Sequence, residues 1–417
     1  MAQLKDDCFA FGGELMPLDD ALDILAKRIH PVMATEPRAL PDAIGRIVAE
    51  DILAPRDVPP HDNSAVDGYA VFFNDLVPGR ETRLPIGDRV AAGHPLERAP
   101  QRGEAVRIFT GAPMPDGMNT VFMEEDCTLA GEDIILPPGL KQGSNRRFKG
   151  EDVKAGDVVI AAGQRLRPQE LGLAASVGKA VLEVFKPLRT AVFSTGDEVR
   201  DPSVDAPKGC IYDANRFAVM GLLKDLGCDV TDLGILPDKE DVISIALAKA
   251  AQDHDVVLTS GGVSTGEEDH VKAAVEQNGS IHFWRLSIKP GRPIALGQVA
   301  DAAFVGLPGN PVAAMVTFMV LARPLLLRLA GASDLTAFRF PVRTGFDYKK
   351  KAGRREWVRA ALKADGADLV AQKYPAGGSG ILASMVFADG LVELGEKQAD
   401  VSAGDMVDFL PFNEVMR

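Results

Sequence analysis

TAVFSTGDEV (190–199), DVTDLGIL (229–236) and DVVLTS (255–260) are apolar runs separated by two helical patterns, DANRFAVMGLLKDLG (213–227) and DVISIALAKAAQ (241–252). Strands that alternate with helices at this spacing read as βαβ units, in which parallel strands are joined by crossover helices. In the first helical pattern Asp213 stands at the cap position and Gly227 at the end, and Phe217, Met220, Leu223 and Leu226 form one apolar stripe. The alternation runs through residues 188–334 and predicts a three-layer α/β domain with a parallel-rich sheet. Its last segment, VAAMVTFMVLARPLLLRLA (312–330), is interrupted by Arg323, Pro324 and Arg328, so it reads as a buried helix and not as a membrane span.

On either side of this domain the pattern changes. Helical spacing appears at LDDALDILAKRI (18–29), at ALPDAIGRIVAEDI (39–52) and again at RPQELGLAASVGKA (167–180), where Pro168 suits a first helical turn and Gly178 an end. Residues 15–54 and 150–187 are therefore grouped as a small helical or linker domain. Between them, 55–149 reads as an inserted β domain of short runs such as YAVFF and AVRIF broken by Pro, Gly, Asn and Asp. Beyond 335, short strands such as FRFPVRTGF and MVDFLPF predict a C-terminal β barrel over 335–417. The fold class is thus multidomain α/β plus β, as a chain of 417 residues leads one to expect.

A formal charge of −13 argues against general affinity for nucleic acid or for an anionic membrane, so any anionic ligand must be met locally. The four cysteines form no CxxC pair and the N-terminus lacks a signal-peptide pattern; both features fit a reducing cytoplasm. No HExxH is present, and neither the GK[ST] of a Walker loop nor GxGxxG accompanies the glycines, which counts against zinc hydrolases, ordinary ATPases and dehydrogenases.

In open α/β sheets, ligands bind beyond the carboxyl ends of the strands. The loops expected there carry Asp197 and Glu198, then Asp238, then SGGVSTGEED (260–269) ending in Asp269, with Lys289 and Arg292 in IKPGRP (288–293) and Pro308 and Pro311 in GLPGNPV (306–312). Glycines that let backbone N–H groups approach a ligand suit an oxyanion, although a glycine-rich loop alone is equally a tight turn. Clustered carboxylates raise one another's pKa unless a cation relieves them, and oxygen-only ligation by Glu198, Asp238 and Asp269 suits Mg²⁺. The alternative for any one of the three is a helix cap or a solvated loop charge, and for Asp238 alone that reading weighs equally. A two-carboxylate glycosidase would leave the anion loop and the basic segment without a purpose.

DNSAVDGYAV (62–71), TGAPMP (110–115), NRRFKGEDV (145–153), STGDEV, IYDANR (211–216), SGGVSTGEED, IKPGRP and GLPGNPV occur in this order across most of the chain. The set closely resembles the MoeA family of molybdopterin molybdenumtransferases, whose animal relative is the gephyrin E domain. The resemblance implies a homodimer of four domains per subunit and an α/β domain related to the molybdopterin adenylyltransferases. The implied reaction combines adenylylated molybdopterin with molybdate, uses Mg²⁺ and releases AMP. A molybdopterin adenylyltransferase and molybdoenzyme chaperones are the implied handover partners.

By the same resemblance Asp62, Thr110, Asp152 and Glu198 are catalytic. Ser260, Gly261, Gly262, Ser264 and Arg292 meet substrate together with Pro308 and Pro311, Lys289, Pro290, Arg354 and Ser379 surround molybdate, and Glu198, Asp238 and Asp269 hold the metal. Two departures stand out: Ala313 replaces a serine frequent in relatives, which removes a hydroxyl contact, and His270 follows Asp269 where another residue is common. The competing readings are an adenylyltransferase, for which the DNSAVDGYAV and terminal β domains would be superfluous, and a non-catalytic scaffold, against which the retained acidic and basic loop residues weigh.

Overall fold

The computed structural model describes residues 3–4, 15–262, 270–366 and 368–416. At its centre β1 (Arg189–Thr195), β2 (Asp229–Leu236), β3 (Val256–Ser260), β4 (Gly279–Arg285), β5 (Pro293–Val299) and β6 (Ala302–Leu307) form a six-stranded sheet in the order β2-β1-β3-β6-β5-β4. Strands β2, β1, β3 and β6 are parallel, and β5 and β4 extend the sheet antiparallel. Every residue of β3 and β6 is buried, the continuous apolar run required of a strand covered on both faces.

The covering helices are α1 (Leu18–Arg28), α3 (Asn215–Asp225), α4 (Glu240–Asp253), α5 (His270–Asn278) and α6 (Pro311–Thr317), the last continuing through a π-helical turn, Phe318–Ala322, into α7 (Arg323–Leu329); α2 (Pro168–Ser176) lies apart, in the flanking segment. Because side chains alternate along a strand, Val192 of β1 faces a core built with α1, α3, α6 and α7, whereas Ala191 and Phe193 face α4 and α5. The span Pro311–Leu329 is apolar and long enough to cross a membrane by length and composition, but 89% of it is buried in the protein.

Three local expectations fail for identifiable reasons. Residues 39–52 form no α-helix beyond the short 3-10 turn Leu40–Asp42: Gly45 has φ +75, and Ile47 and Val48 make isolated bridges to Arg165 and Val184. Helix α1 does not join the 150–187 segment but lays Leu18, Ala21 and Leu25 on the central core. In α3 the buried face is Val219, Leu222 and Leu223, while Phe217 is exposed and stacks on the Arg216 guanidinium. Pro168 does open α2, and Gly178, with φ +85, follows its end.

The inserted segment contains a six-stranded sheet in the order Thr120–Met123, Gly68–Val71, Ala105–Ile108, Thr82–Val90, Asp133–Leu136, Thr128–Ala130. At the C-terminus, Arg355–Asp365 pairs with Asp368–Lys373 on one side and Gly390–Leu394 on the other. This closes a barrel with Phe340–Thr344 and Met406–Pro411 around Val342, Val358, Ala371, Val392 and Phe409. One further pairing joins this barrel to the centre: Ile288–Lys289 runs parallel to Arg355–Glu356.

Arg216 anchors the loops around β1. Its guanidinium is buried, donates to Asp213 at 2.9 Å and to Asp201 at 2.6 Å, and also binds Asp232. Burial opposes its charge, but the three carboxylates outweigh that and hold its pKa above the usual arginine range. Arg216→Ala leaves Asp213 buried without its counter-ion, and such a loss costs about 3–5 kcal/mol. In a Trp357→Phe background the remaining tryptophan, Trp284, lies fully buried in β4. Its fluorescence should report a markedly lower urea midpoint for Arg216→Ala, and an unchanged midpoint would contradict the anchoring role.

Candidate functional site

The parallel strands β1, β2, β3 and β6 end side by side at Thr195, Leu236, Ser260 and Leu307. The loops that leave them line a cleft of about 260 Å³ containing Glu198, Asp213, Asn215, Asp238, Ser260, Gly261 and Gly262. Thr195 Oγ1 donates to Asp238 Oδ1 at 3.2 Å and orients that carboxylate. One amide ties two loops together: Asn215 Nδ2 donates to Ser260 Oγ at 2.6 Å and to the Gly309 carbonyl at 2.7 Å. Gly262, at φ +64, is required by close approach, because a Cβ there would lie 2.8 Å from Val271 and 2.9 Å from the Thr195 methyl.

A larger cleft of about 720 Å³ opens alongside, between the central sheet and the barrel, and shares Glu198, Gly261, Gly262 and Gly309 with the first. Lys289, Pro290, Arg292 and Pro308 line it from the centre, and Tyr348, Arg359, Lys373 and Ser379 from the barrel. The Ser379 carbonyl accepts from the Val312 amide at 2.9 Å, which docks the GGSG loop on the start of α6, where Pro311 stands. Ala313 also lines this cleft and brings a methyl where a serine would bring a hydroxyl. Arg359 donates to two neutral oxygens, Ser384 Oγ and the Gly378 carbonyl, both at 3.0 Å, and burial pushes its pKa down. Among the described residues Arg292, Arg359 and Lys373 have no carboxylate within 4.0 Å.

The parallel pairing at the seam sets Lys289 beside Glu356. Glu356 is fully buried, and its Oε2 accepts from Lys289 Nζ at 3.1 Å and from Tyr348 OH at 2.8 Å, while Oε1 accepts from Arg354 Nε at 2.6 Å. Burial alone would push this carboxyl up; the hydrogen bonds from Tyr348, Lys289 and Arg354 outweigh it and hold the group below the usual glutamate range. For Lys289 burial pulls down, but Tyr348 and Glu356 hold the ammonium above its ordinary value. Arg354 is thus turned to Glu356 and does not line the cleft.

Asp62, Thr110 and Asp152 line neither cleft. Asp62 accepts from the Lys149 amide at 2.8 Å and pairs with Arg146 at 3.2 Å, and the Met114 amide donates to its carbonyl. Thr110 is held by the second aspartate of DNSAVDG: Asp67 Oδ1 accepts from its amide at 2.7 Å and its hydroxyl at 2.8 Å. The Asp152 amide donates to the Val58 carbonyl at 3.1 Å. Ser264 and Asp269 lie outside the described residues. Among those described, no three His, Cys, Asp or Glu side chains are placed to hold a metal, though Glu198 and Asp238 share the smaller cleft.

Sequence reasoning passed over Asn215, Tyr348, Glu356, Arg359 and Lys373. Asn215 carries a usable signal, an Asn at the head of a helical pattern inside the IYDANR motif. Glu356 carries none, since its burial depends on pairing with a segment far away in sequence.

Three family profiles match consecutive stretches of the chain: the MoeA N-terminal region (domain I and II) over residues 16–178, a probable molybdopterin binding domain over 191–328 and the MoeA C-terminal region (domain IV) over 341–412. Among similar proteins, the molybdopterin molybdenumtransferase of Haemophilus influenzae is 39% identical over 405 residues, 96% of this chain and 100% of that protein. Molybdopterin molybdenumtransferase 2 of Mycobacterium tuberculosis is 34% identical over 88% of this chain and 92% of its own. The crystal structure of the molybdopterin biosynthesis moeA protein from Pyrococcus horikoshii superposes with a TM-score of 0.81 at 28% identity, covering 95% of this chain and 100% of that one.

Proposed function

We propose that this chain, which belongs to the MoeA family of molybdopterin molybdenumtransferases, takes adenylylated molybdopterin as its organic substrate, joins molybdate to it and releases AMP. It is an enzyme of molybdenum cofactor biosynthesis, a transferase that inserts molybdenum. The observation that carries the finer reading is the continuity of two clefts of opposite character, one holding the three carboxylates of Glu198, Asp213 and Asp238 and the other lined mainly by basic side chains, joined through Glu198 and the Gly261–Gly262 turn.

Both substrates are anions. Molybdate is a tetrahedral dianion that needs several convergent donors, and Lys289, Arg292, Arg359, Lys373 and the Ser379 hydroxyl supply them on facing walls of the larger cleft. The pyrophosphate link of the adenylylated pterin then lies toward the smaller cleft, at the carboxyl ends of the parallel strands. There Asn215 fixes the Ser260 loop against the Gly309 turn, so that the glycine-rich backbone is set before the substrate arrives.

Among the described residues the donor set fits Mg²⁺ held by one or two carboxylates plus substrate phosphates. Asp238, oriented by Thr195, and Glu198 are the residues that would hold it. A bound Mg²⁺ would supply charge neutralisation for the pyrophosphate oxygens, and hydrolysis of that link by water would release AMP and leave the pterin with its own phosphate. The family resemblance further suggests a homodimer acting in the cytoplasm. Asp62, Thr110 and Asp152 reach neither cleft of their own subunit, which leaves them free to complete a partner's site.

Lys289→Ala or Arg359→Ala should raise the molybdate concentration for half-maximal insertion about tenfold, the loss of a hydrogen bond to a charged group, without weakening binding of adenylylated molybdopterin. Asp238→Asn should instead depress AMP release and shift its Mg²⁺ dependence to higher concentration. Unchanged molybdate and Mg²⁺ dependences in these variants would remove the assignment. For the shared site, mixing inactive Asp62→Ala and Asp238→Ala subunits should restore part of the activity, whereas no recovery in demonstrated heterodimers would exclude a contribution across subunits.

A further inference from the structure

A carboxylate buried at an anion site is a liability unless it does something there, since it repels the ligand and loses its hydration. Glu356 is 0% exposed, yet it stands one side chain away from the basic cleft through Lys289. Barrel stability does not explain it: replacing a buried ion pair with packed apolar groups is commonly neutral or stabilising.

We infer that Glu356 is a positioning residue for oxyanion capture: it holds the Lys289 ammonium at the cleft wall and thereby sets how readily molybdate binds. The inference rests on the reading of the larger cleft as the molybdate site. Glu356, Tyr348 and Lys289 form a closed triangle, with Lys289 Nζ donating to Glu356 Oε2 and to Tyr348 OH, each at 3.1 Å, and Tyr348 OH donating to the same Oε2 at 2.8 Å. An ammonium has three donors, so two are committed to the barrel wall and one is left for a ligand.

Lysine is otherwise a poor choice for a pre-set donor. The side chain is 47% exposed, and ordering its four-carbon stem costs up to about 2 kcal/mol of rotamer freedom. Parallel pairing of Ile288–Lys289 with Arg355–Glu356 fixes the backbone of both partners, and the triangle fixes the tip, so this ordering is complete before the anion arrives. Arg354 occupies the other oxygen of Glu356 and leaves Oε2 to Lys289 and Tyr348. The net attraction for a dianion then comes from Arg292, Arg359 and Lys373, which lack a carboxylate partner among the described residues.

The test is a double-mutant cycle on the full-length enzyme, reading the half-saturating molybdate concentration separately from kcat. Glu356→Gln keeps the shape but cannot serve both donors as a charged acceptor; half-saturation should rise about fivefold, the worth of one hydrogen bond. The kcat at saturating molybdate should stay within about twofold. In a Lys289→Ala background Glu356→Gln should add nothing, because its effect runs through the ammonium. Tyr348→Phe, which keeps the buried ion pair and serves if Glu356→Gln folds poorly, should raise half-saturation by a smaller factor, about twofold. It too should be silent without Lys289.

If Lys289→Ala raises half-saturation but Glu356→Gln and Tyr348→Phe do not, or if their effects persist undiminished in the Lys289→Ala background, the positioning role is wrong while the cleft assignment stands. If Lys289→Ala itself changes nothing, the cleft assignment falls and takes this inference with it.

Discussion

Two residues of parallel strand pairing, Ile288–Lys289 against Arg355–Glu356, decide where this protein can do chemistry. The Arg355 amide donates to the Ser287 carbonyl at 2.9 Å and the Ser287 hydroxyl bonds the Gly353 carbonyl, so the barrel is stitched to the central sheet by backbone at that point. The register then sets Lys289 opposite Glu356, buries the carboxylate and opens the larger cleft between the two units. A shift of one residue would turn Lys289 to the other face and leave Glu356 buried without an ammonium.

The remaining constraint is topological. Four parallel strands end on one edge of the sheet, so loops that are distant in sequence share a cleft regardless of what they carry. What distinguishes the edge is the choice of side chains: Gly262 where no Cβ fits, Asn215 bridging two loops, and carboxylates of the β1 and β2 loops, Glu198, Asp213 and Asp238, among the described residues that line it. Separating acidic from basic walls by one shared turn lets a single ligand meet a cation-binding end and an oxyanion-binding end together.

Much of the α/β architecture was legible because both faces of its sheet are covered, which writes strands as unbroken apolar runs and helices as periodic ones. The loop carboxylates Glu198 and Asp238, and Lys289, were legible for the same reason, since strand ends can be counted, whereas Ser379 was reached only through the family resemblance. Residues 39–52 misled because apolar residues recur along the segment at helical spacing, yet Ile47 and Val48 answer to partners at Arg165 and Val184, more than a hundred positions along the chain. Arg354 was named through the family resemblance alone, whereas Arg359 lies in the middle of a strand that the resemblance did not mark; only barrel closure shows that Arg359 lines the cleft and Arg354 pairs with Glu356. Burial of charge is set by register between distant segments, and no local pattern encodes it.

The central claim is that molybdate is met by the basic walls at the seam and not by the acidic loops. Crystals grown with molybdate and measured at the molybdenum absorption edge locate the metal directly. An anomalous peak in the larger cleft within hydrogen-bonding reach of Lys289, Arg359 and Ser379 is the predicted result. A peak seated between Glu198 and Asp238, or outside both clefts, would contradict it.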